Sequence, residues 1–165
     1  RAAAFEPRIK RVIAHSVSFD VTQYTNVVGQ QLAKLFFWKF SNFTNNATIK
    51  KMKNNLQYSW FVNNLMYTPQ KEMPIEGFDV LLQINEENLH SDLVQQDVLI
   101  LTGRKDHLVP FKMHNLQVKA LINARSVTGR VFTKEENAQN HCQIGNIGLV
   151  LDVMVKWIDG KGSCR

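Results

Sequence analysis

An aspartate and a histidine on neighbouring loops are the most chemically suggestive pair in the sequence. Asp106 lies five residues beyond the apolar run Asp97-Val-Leu-Ile-Leu101, within Thr102-Gly-Arg-Lys-Asp-His-Leu-Val-Pro110. His141 lies after the next apolar segment, just ahead of a helical one. If both segments are strands of a parallel sheet, their following loops meet at the carboxyl edge, where ligands bind. Adjacent strands run about 4.8 Å apart, so the two side chains can touch. A carboxylate against an imidazole fixes the tautomer and stabilises the imidazolium. The other ring nitrogen is then free to act as a general base. Alone, an Asp in a loop is usually a turn former or cap, and a His ahead of a helix usually caps it or faces solvent. The strand context of the pair points to function.

The elements that must position the pair follow from the hydrophobic pattern. Residues 1 to 6 read as the end of a helix, which Pro7 stops by pushing its predecessor out of the helical region. Ile9 to Ala14 reads as a short strand and 16 to 20 as a loop. Residues 97 to 101 are apolar on both faces, which suits a central parallel strand covered on both sides. Val109-Pro110 opens a helix whose buried face is Met113, Leu116, Ala120 and Leu121. Ser126 to Thr133 is a further strand, and Ile147, Leu151, Met154 and Ile158 mark a last helix that Gly160 stops. Strands alternating with helices argue for an α/β protein with a parallel sheet.

Residues 21–93 have a different character. Val28, Leu32, Leu35, Phe36 and Phe40 fall on one helical face. Ile49, Met52, Leu56 and Trp60 follow at helical or near-helical spacing, and a short helix is expected from Ile75 to Ile84. This stretch reads as a mostly helical insertion whose aromatic residues are covered by its own core. The expected organisation is sheet core over 1–20, helical insertion over 21–95, sheet core over 96–160 and a polar tail over 161–165.

Composition bounds the function class. The chain has 165 residues with 44% hydrophobic and 21% charged, about one globular domain in size. It has two cysteines, too few for a disulfide scaffold. No apolar run approaches the roughly 18 to 20 residues of a membrane span, and no signal-peptide pattern opens the chain. A soluble, cytoplasmic protein is the expectation. The net charge is +6, and its densest cluster is Lys50, Lys51 and Lys53 among asparagines. That cluster lacks the interleaved Arg and aromatic residues of a nucleic-acid face, so no nucleic-acid partner is expected.

The acid segment Leu99-Ile-Leu-Thr-Gly-Arg-Lys-Asp106-His-Leu-Val-Pro110 resembles the acid loop of the α/β-hydrolase fold. Asn140-His141-Cys-Gln matches that family's histidine loop in position, and Gly145 to Ile158 its closing helix. Arg1-Ala-Ala-Ala-Phe-Glu-Pro-Arg-Ile-Lys-Arg-Val-Ile-Ala14 looks like the helix after the nucleophile followed by the sixth strand. The insertion sits where the family places its helical cap. Within the family the chain is most similar to bacterial serine hydrolases of the dipeptidyl aminopeptidase and acylaminoacyl-peptidase type. The resemblance implies the C-terminal half of the fold, with Asp106 and His141 as acid and histidine, in the family's order. It also implies hydrolysis of an ester, thioester or amide in a small-molecule or peptide acyl substrate. Phe36, Phe37, Trp38, Trp60 and Phe61 of the cap would line the acyl side. No cofactor or metal is implied.

The sequence departs from the family at the nucleophile. No Gly-x-Ser-x-Gly elbow occurs, and Ser16, in Ala14-His-Ser-Val-Ser18, has no flanking glycines. The elbow is expected a few residues before Arg1, along with further strands. By itself the chain then carries an incomplete triad and should be inactive. The alternative is a non-catalytic, truncated or degenerate hydrolase fold that binds a partner. Its exposed sheet edge would favour a homo-oligomer or a partner that supplies strands. Weaker candidates are Asp20 as the acid, Cys142 as a thiol nucleophile beside His141, and His107, His114, His141 and Cys142 as zinc ligands at spacings that match no zinc motif. Gly103, Gly145 and Gly148 form no phosphate-cradling loop. His15 and His90 read as structural.

Overall fold

A strand that is apolar on both faces needs cover on both sides, and the centre of the sheet meets that need. A computed structural model of the chain describes residues 1–24 and 39–161. It has an α/β fold, with one three-stranded, all-parallel sheet and seven α-helices among the described residues. Strand β1 (Arg11–His15) pairs with β2 (Asp97–Gly103), and β2 with β3 (Ser126–Phe132), in the order β1-β2-β3. The registers align Arg11 with Asp97 and Asp97 with Ser126. All seven residues of β2 are buried.

Alternation along β2 sends its side chains to opposite faces. Val98 and Ile100 join Ala14, Val94 and Leu121 on one face, with Ala3 and Ala4 of helix α1 (Ala2–Phe5) packed against them. Leu99 and Leu101 join Phe132, Ala138 and Val150 on the other, with Leu149, Val153, Met154 and Trp157 alongside. Full burial of each such aliphatic side chain contributes about 1.5–3 kcal/mol. The observed strands extend the expected ones by a residue or two at the carboxyl end of the sheet for β1 and β2. Leu99 and Leu101 are covered by the last helix, which runs on through Gly160.

The chain divides into two compact units, Arg1–Phe19 with Glu86–Arg165, and Asp20–Asn85. The sheet and both candidate loops belong to the first. The short helices Glu86–Leu89 (α5) and Ser91–Leu93 (a 3-10 turn), which the hydrophobic pattern groups with the insertion, also belong there. Its remaining helices are α6 (Lys112–Ala120) and α7 (Ile147–Gly160).

The second unit contains α2 (Ser41–Asn54), α3 (Leu56–Tyr67) and α4 (Pro74–Leu82). Its expected first helix, with Val28, Leu32, Leu35 and Phe36, lies outside the described residues. Asn55 separates α2 from α3. Its backbone is extended, and its side chain accepts the Tyr58 N–H at 2.8 Å as the cap of α3. The cover expected for the aromatic residues from the insertion's own core does not extend to Trp60. Leu56 is 88% and Trp60 65% exposed, and Phe40 and Phe43 are exposed as well. No described helix is long and apolar enough to cross a membrane.

Candidate active site

The carboxyl ends of β2 and β3 lead into the two loops that matter. Gly103 ends β2 where the second loop crosses it. A Cβ there would stand 2.4 Å from both the Gln139 and Asn140 carbonyl oxygens, so only glycine lets the loops approach. The Arg104 N–H donates to Phe132 O and the Lys105 N–H to Gln139 O, each at 2.9 Å. The loops are thus joined backbone to backbone before either candidate side chain is placed.

Asp106 folds back on its own loop. Its Oδ1 accepts the N–H groups of Leu108 at 2.8 Å and Val109 at 2.9 Å, the usual habit of an aspartate ahead of a helical turn. The same carboxylate faces His141, whose Nδ1 lies 3.0 Å from Oδ1 and 2.9 Å from Oδ2. The Asp106 side chain has no exposed surface and that of His141 is 28% exposed. The carboxylate accepts, so Nδ1 carries the proton. Nε2 has no hydrogen-bond partner among the described residues. The His107 ring stands edge-on to His141 with centroids 6.2 Å apart.

Further bonds shape the histidine loop. The Glu136 carboxylate accepts the Thr133 N–H at 3.0 Å and pairs with Arg130. The Thr133 N–H first, and then Arg130, hold the Glu136 carboxyl below the usual carboxylate range. Asn146 donates to Glu136 O at 2.9 Å and caps α7 by accepting the Leu149 N–H. Gly145 passes so close to Asn137 that a Cβ would stand 2.2 Å from its carbonyl oxygen.

The remaining candidates separate. Asp20 belongs to the second unit, where it accepts from the Thr22 backbone and hydroxyl and from Gln23, as a cap does. His114 is buried on the sheet, its Nδ1 3.0 Å from the Thr102 hydroxyl and its ring stacked on Phe111. Burial pushes its pKa down. His90 packs edge-on against Phe5. No three His, Cys, Asp or Glu side chains are grouped to hold a metal ion among the described residues.

Phe36, Phe37 and Trp38 lie outside the described residues. Trp60 and Phe61 are in the second unit, where Phe61 meets Phe78 at 6.4 Å between centroids. A cleft of about 440 Å³ in that unit is lined by Lys71, Ile75, Asp79, Val80 and Gln83 among others, but not by Trp60 or Phe61.

Two residues near His141 were not singled out from sequence as part of its setting. Ser16 follows β1 with φ 48, and its hydroxyl oxygen accepts the Cys142 N–H at 3.1 Å. Gln143 is fully buried and contacts both His15 and Ser16. More than 120 residues separate these partners, so no local spacing could have signalled them. No protein-family model matches the chain, and no curated protein matches it.

Proposed function

We propose that Asp106 and His141 are the orienting acid and the general base of a serine hydrolase that cleaves an ester, thioester or amide. The observation that carries this reading is the buried Asp106 carboxylate, held by two backbone N–H groups and set 2.9–3.0 Å from His141 Nδ1. A carboxylate on Nδ1 leaves the Nε2 lone pair available to a hydroxyl.

In this reading the chain supplies two members of the triad, and the nucleophilic serine comes from sequence beyond these 165 residues. The serine Oγ attacks the acyl carbon as His141 Nε2 takes its proton. Collapse of the tetrahedral intermediate expels the alcohol, thiol or amine, which receives that proton from Nε2. Water then repeats the sequence on the acyl-enzyme and releases the acid. Asp106 stays ionised throughout and stabilises the imidazolium. Phe36, Phe37, Trp38, Trp60 and Phe61 are proposed to face the acyl group.

The absence of a Gly-x-Ser-x-Gly segment favours a second reading, a non-catalytic module built on a hydrolase-like sheet. Intact mass and fluorophosphonate labelling of the natural protein decide between them. The hydrolase reading expects a chain heavier than 19.0 kDa, labelled on a serine outside this sequence. His141→Ala should abolish labelling, and Asp106→Asn should slow turnover by roughly 10⁴-fold. A natural chain of this length that takes no label would leave the binding module.

A further inference from the structure

The peptide units on both sides of His141 are gripped by one buried side chain and by a serine that directly follows β1. Gln143 Nε2 lies 3.2 Å from Asn140 O and 3.4 Å from Ser16 Oγ. Ser16 Oγ also accepts the Cys142 N–H at 3.1 Å. Asn140 precedes His141 and Cys142 follows it. A carbonyl oxygen only accepts, so the Gln143 amide nitrogen must face Asn140 and Ser16. Its Oε1 then faces His15 Nε2 at 2.6 Å, and that nitrogen must be the donor. The orientation of the amide and the tautomer of His15 are both set by this chain of bonds. Protonation of His15 would leave its donation to Gln143 in place.

The grip matters because the backbone it holds is strained. Cys142 has φ 48, ψ 22 and Gln143 φ 49, ψ 38, left-handed conformations that a Cβ disfavours. Strain of this kind persists where the surroundings over-determine it. Here the surroundings are the end of β1. The Ser16 N–H donates to Leu101 O at 2.9 Å, which ties that end to β2, the strand that leads to Asp106. An apolar side chain could fill the space of Gln143, which has no exposed surface. An amide there secures direction as well as volume.

We propose that Gln143, acting with Ser16, is a positioning residue that aims the His141 imidazole at Asp106. The proposal rests on the reading of Asp106 and His141 as a working pair. It adds β1 to the elements that build the site, through side chains that never touch the reacting atoms.

The test is the tautomer of His141 in the full chain with ¹⁵N-labelled histidine, at a pH where the ring is neutral. Ring-nitrogen shifts show which nitrogen bears the proton. In the unaltered chain His141 should be a single species protonated on Nδ1. Asp106→Asn should turn the new amide nitrogen toward the ring and move the proton to Nε2. Gln143→Met keeps the volume and deletes the amide. It should convert His141 to a mixture of tautomers, while His114, bonded to Thr102, keeps its signals. Ser16→Ala should do the same to a smaller extent, and it carries the test if Gln143→Met fails to fold. Unchanged His141 signals in these variants, with a clear change in Asp106→Asn, would overturn the positioning role alone. Unchanged signals in Asp106→Asn as well would overturn the working pair.

Discussion

The two units spend their apolar residues in opposite ways. In the first, Val98, Leu99, Ile100 and Leu101 of β2 are all 2% exposed or less, shared between the two faces of the sheet. In the second, the buried hydrophobic side chain among the described residues is Val62, while Leu56, Trp60, Phe43 and Tyr67 stand in the open. Polar and small residues also meet between its helices. Asn45 Oδ1 accepts the Ile75 N–H at 3.0 Å, and Gly77 runs so close to Leu65 that a Cβ would stand 2.9 Å from its carbonyl oxygen. The difference teaches that an apolar residue reports burial only when its element leaves it no exposed side. A central strand has none, and a helix of a small bundle has several.

Substitution of Leu99 by Ala breaks the comparison at its strongest point. Leu99 is enclosed by Leu101, Phe132, Ala138 and Val150, and truncation there should cost about 2–5 kcal/mol. Native-state hydrogen exchange reads each unit separately. The β2 amides should lose that much protection while the α3 amides keep theirs. Equal losses in both would mean that the two units unfold as one.

Gly103→Ala comes next and acts on the site rather than on the core. The new methyl would fall 2.4 Å from two backbone carbonyl oxygens, neither of which can rotate aside as a side chain could. Overpacking of this kind costs about 1–3 kcal/mol. The loops must part to admit it, so the His141 to Asp106 bond should weaken along with stability. The Nδ1-protonated signal of His141 would report this, and its persistence would show that the crossing has slack.

A smaller effect tests the buried titratable group of the sheet. Burial lowers the His114 pKa, so the unfolded chain takes up a proton at a pH where the folded chain does not. The folded state therefore has its full stability above the usual histidine pKa. It loses stability as pH falls from that value toward the lower folded one. Denaturant midpoints of the β2 amides should drop across this range, and His114→Gln should flatten the slope. An unchanged slope would assign the acid sensitivity to other groups. Asp97 acts only at lower pH. The Ser126 hydroxyl, 2.5 Å away, is the main cause that holds its carboxyl below the ordinary range. Its contribution is present above that range and fades as pH falls through the lowered value.

What the sequence disclosed follows the same division. Both faces of β2 are apolar, so its place at the sheet centre could be read from Val98 to Leu101. The loops at its end and at the end of β3 then had to share an edge, and Asp106 and His141 could be paired. The break at Asn55 was hidden, because helical spacing continues across it from Met52 to Leu56 while the backbone does not. The clamp at Gln143 was hidden for another reason. Left-handed backbone at Cys142 and Gln143 has no signature in residue types that are neither Gly nor Asn, and the partners lie at opposite ends of the chain. Gly103 stood in view as the residue after an apolar run, but its close approach to Gln139 and Asn140 is a tertiary fact.

Trp60→Ala should have the smallest effect and sharpens the comparison most. Truncation of a core Trp costs about 3–5 kcal/mol. At 65% exposed, Trp60 should cost no more than about 0.5 kcal/mol in the protection of the α3 amides. The same substitution bears on the proposed acyl-facing role. If the hydrolase reading holds and Trp60 meets substrate, KM of the natural protein should rise while kcat and stability hold, because an exposed aromatic that binds in the ground state lowers KM without assisting the chemical step. A loss of α3 protection comparable to that at Leu99 would place Trp60 among the structural residues of its unit. The contrast between a sheet that hides its apolar side chains and helices that display them would then no longer hold.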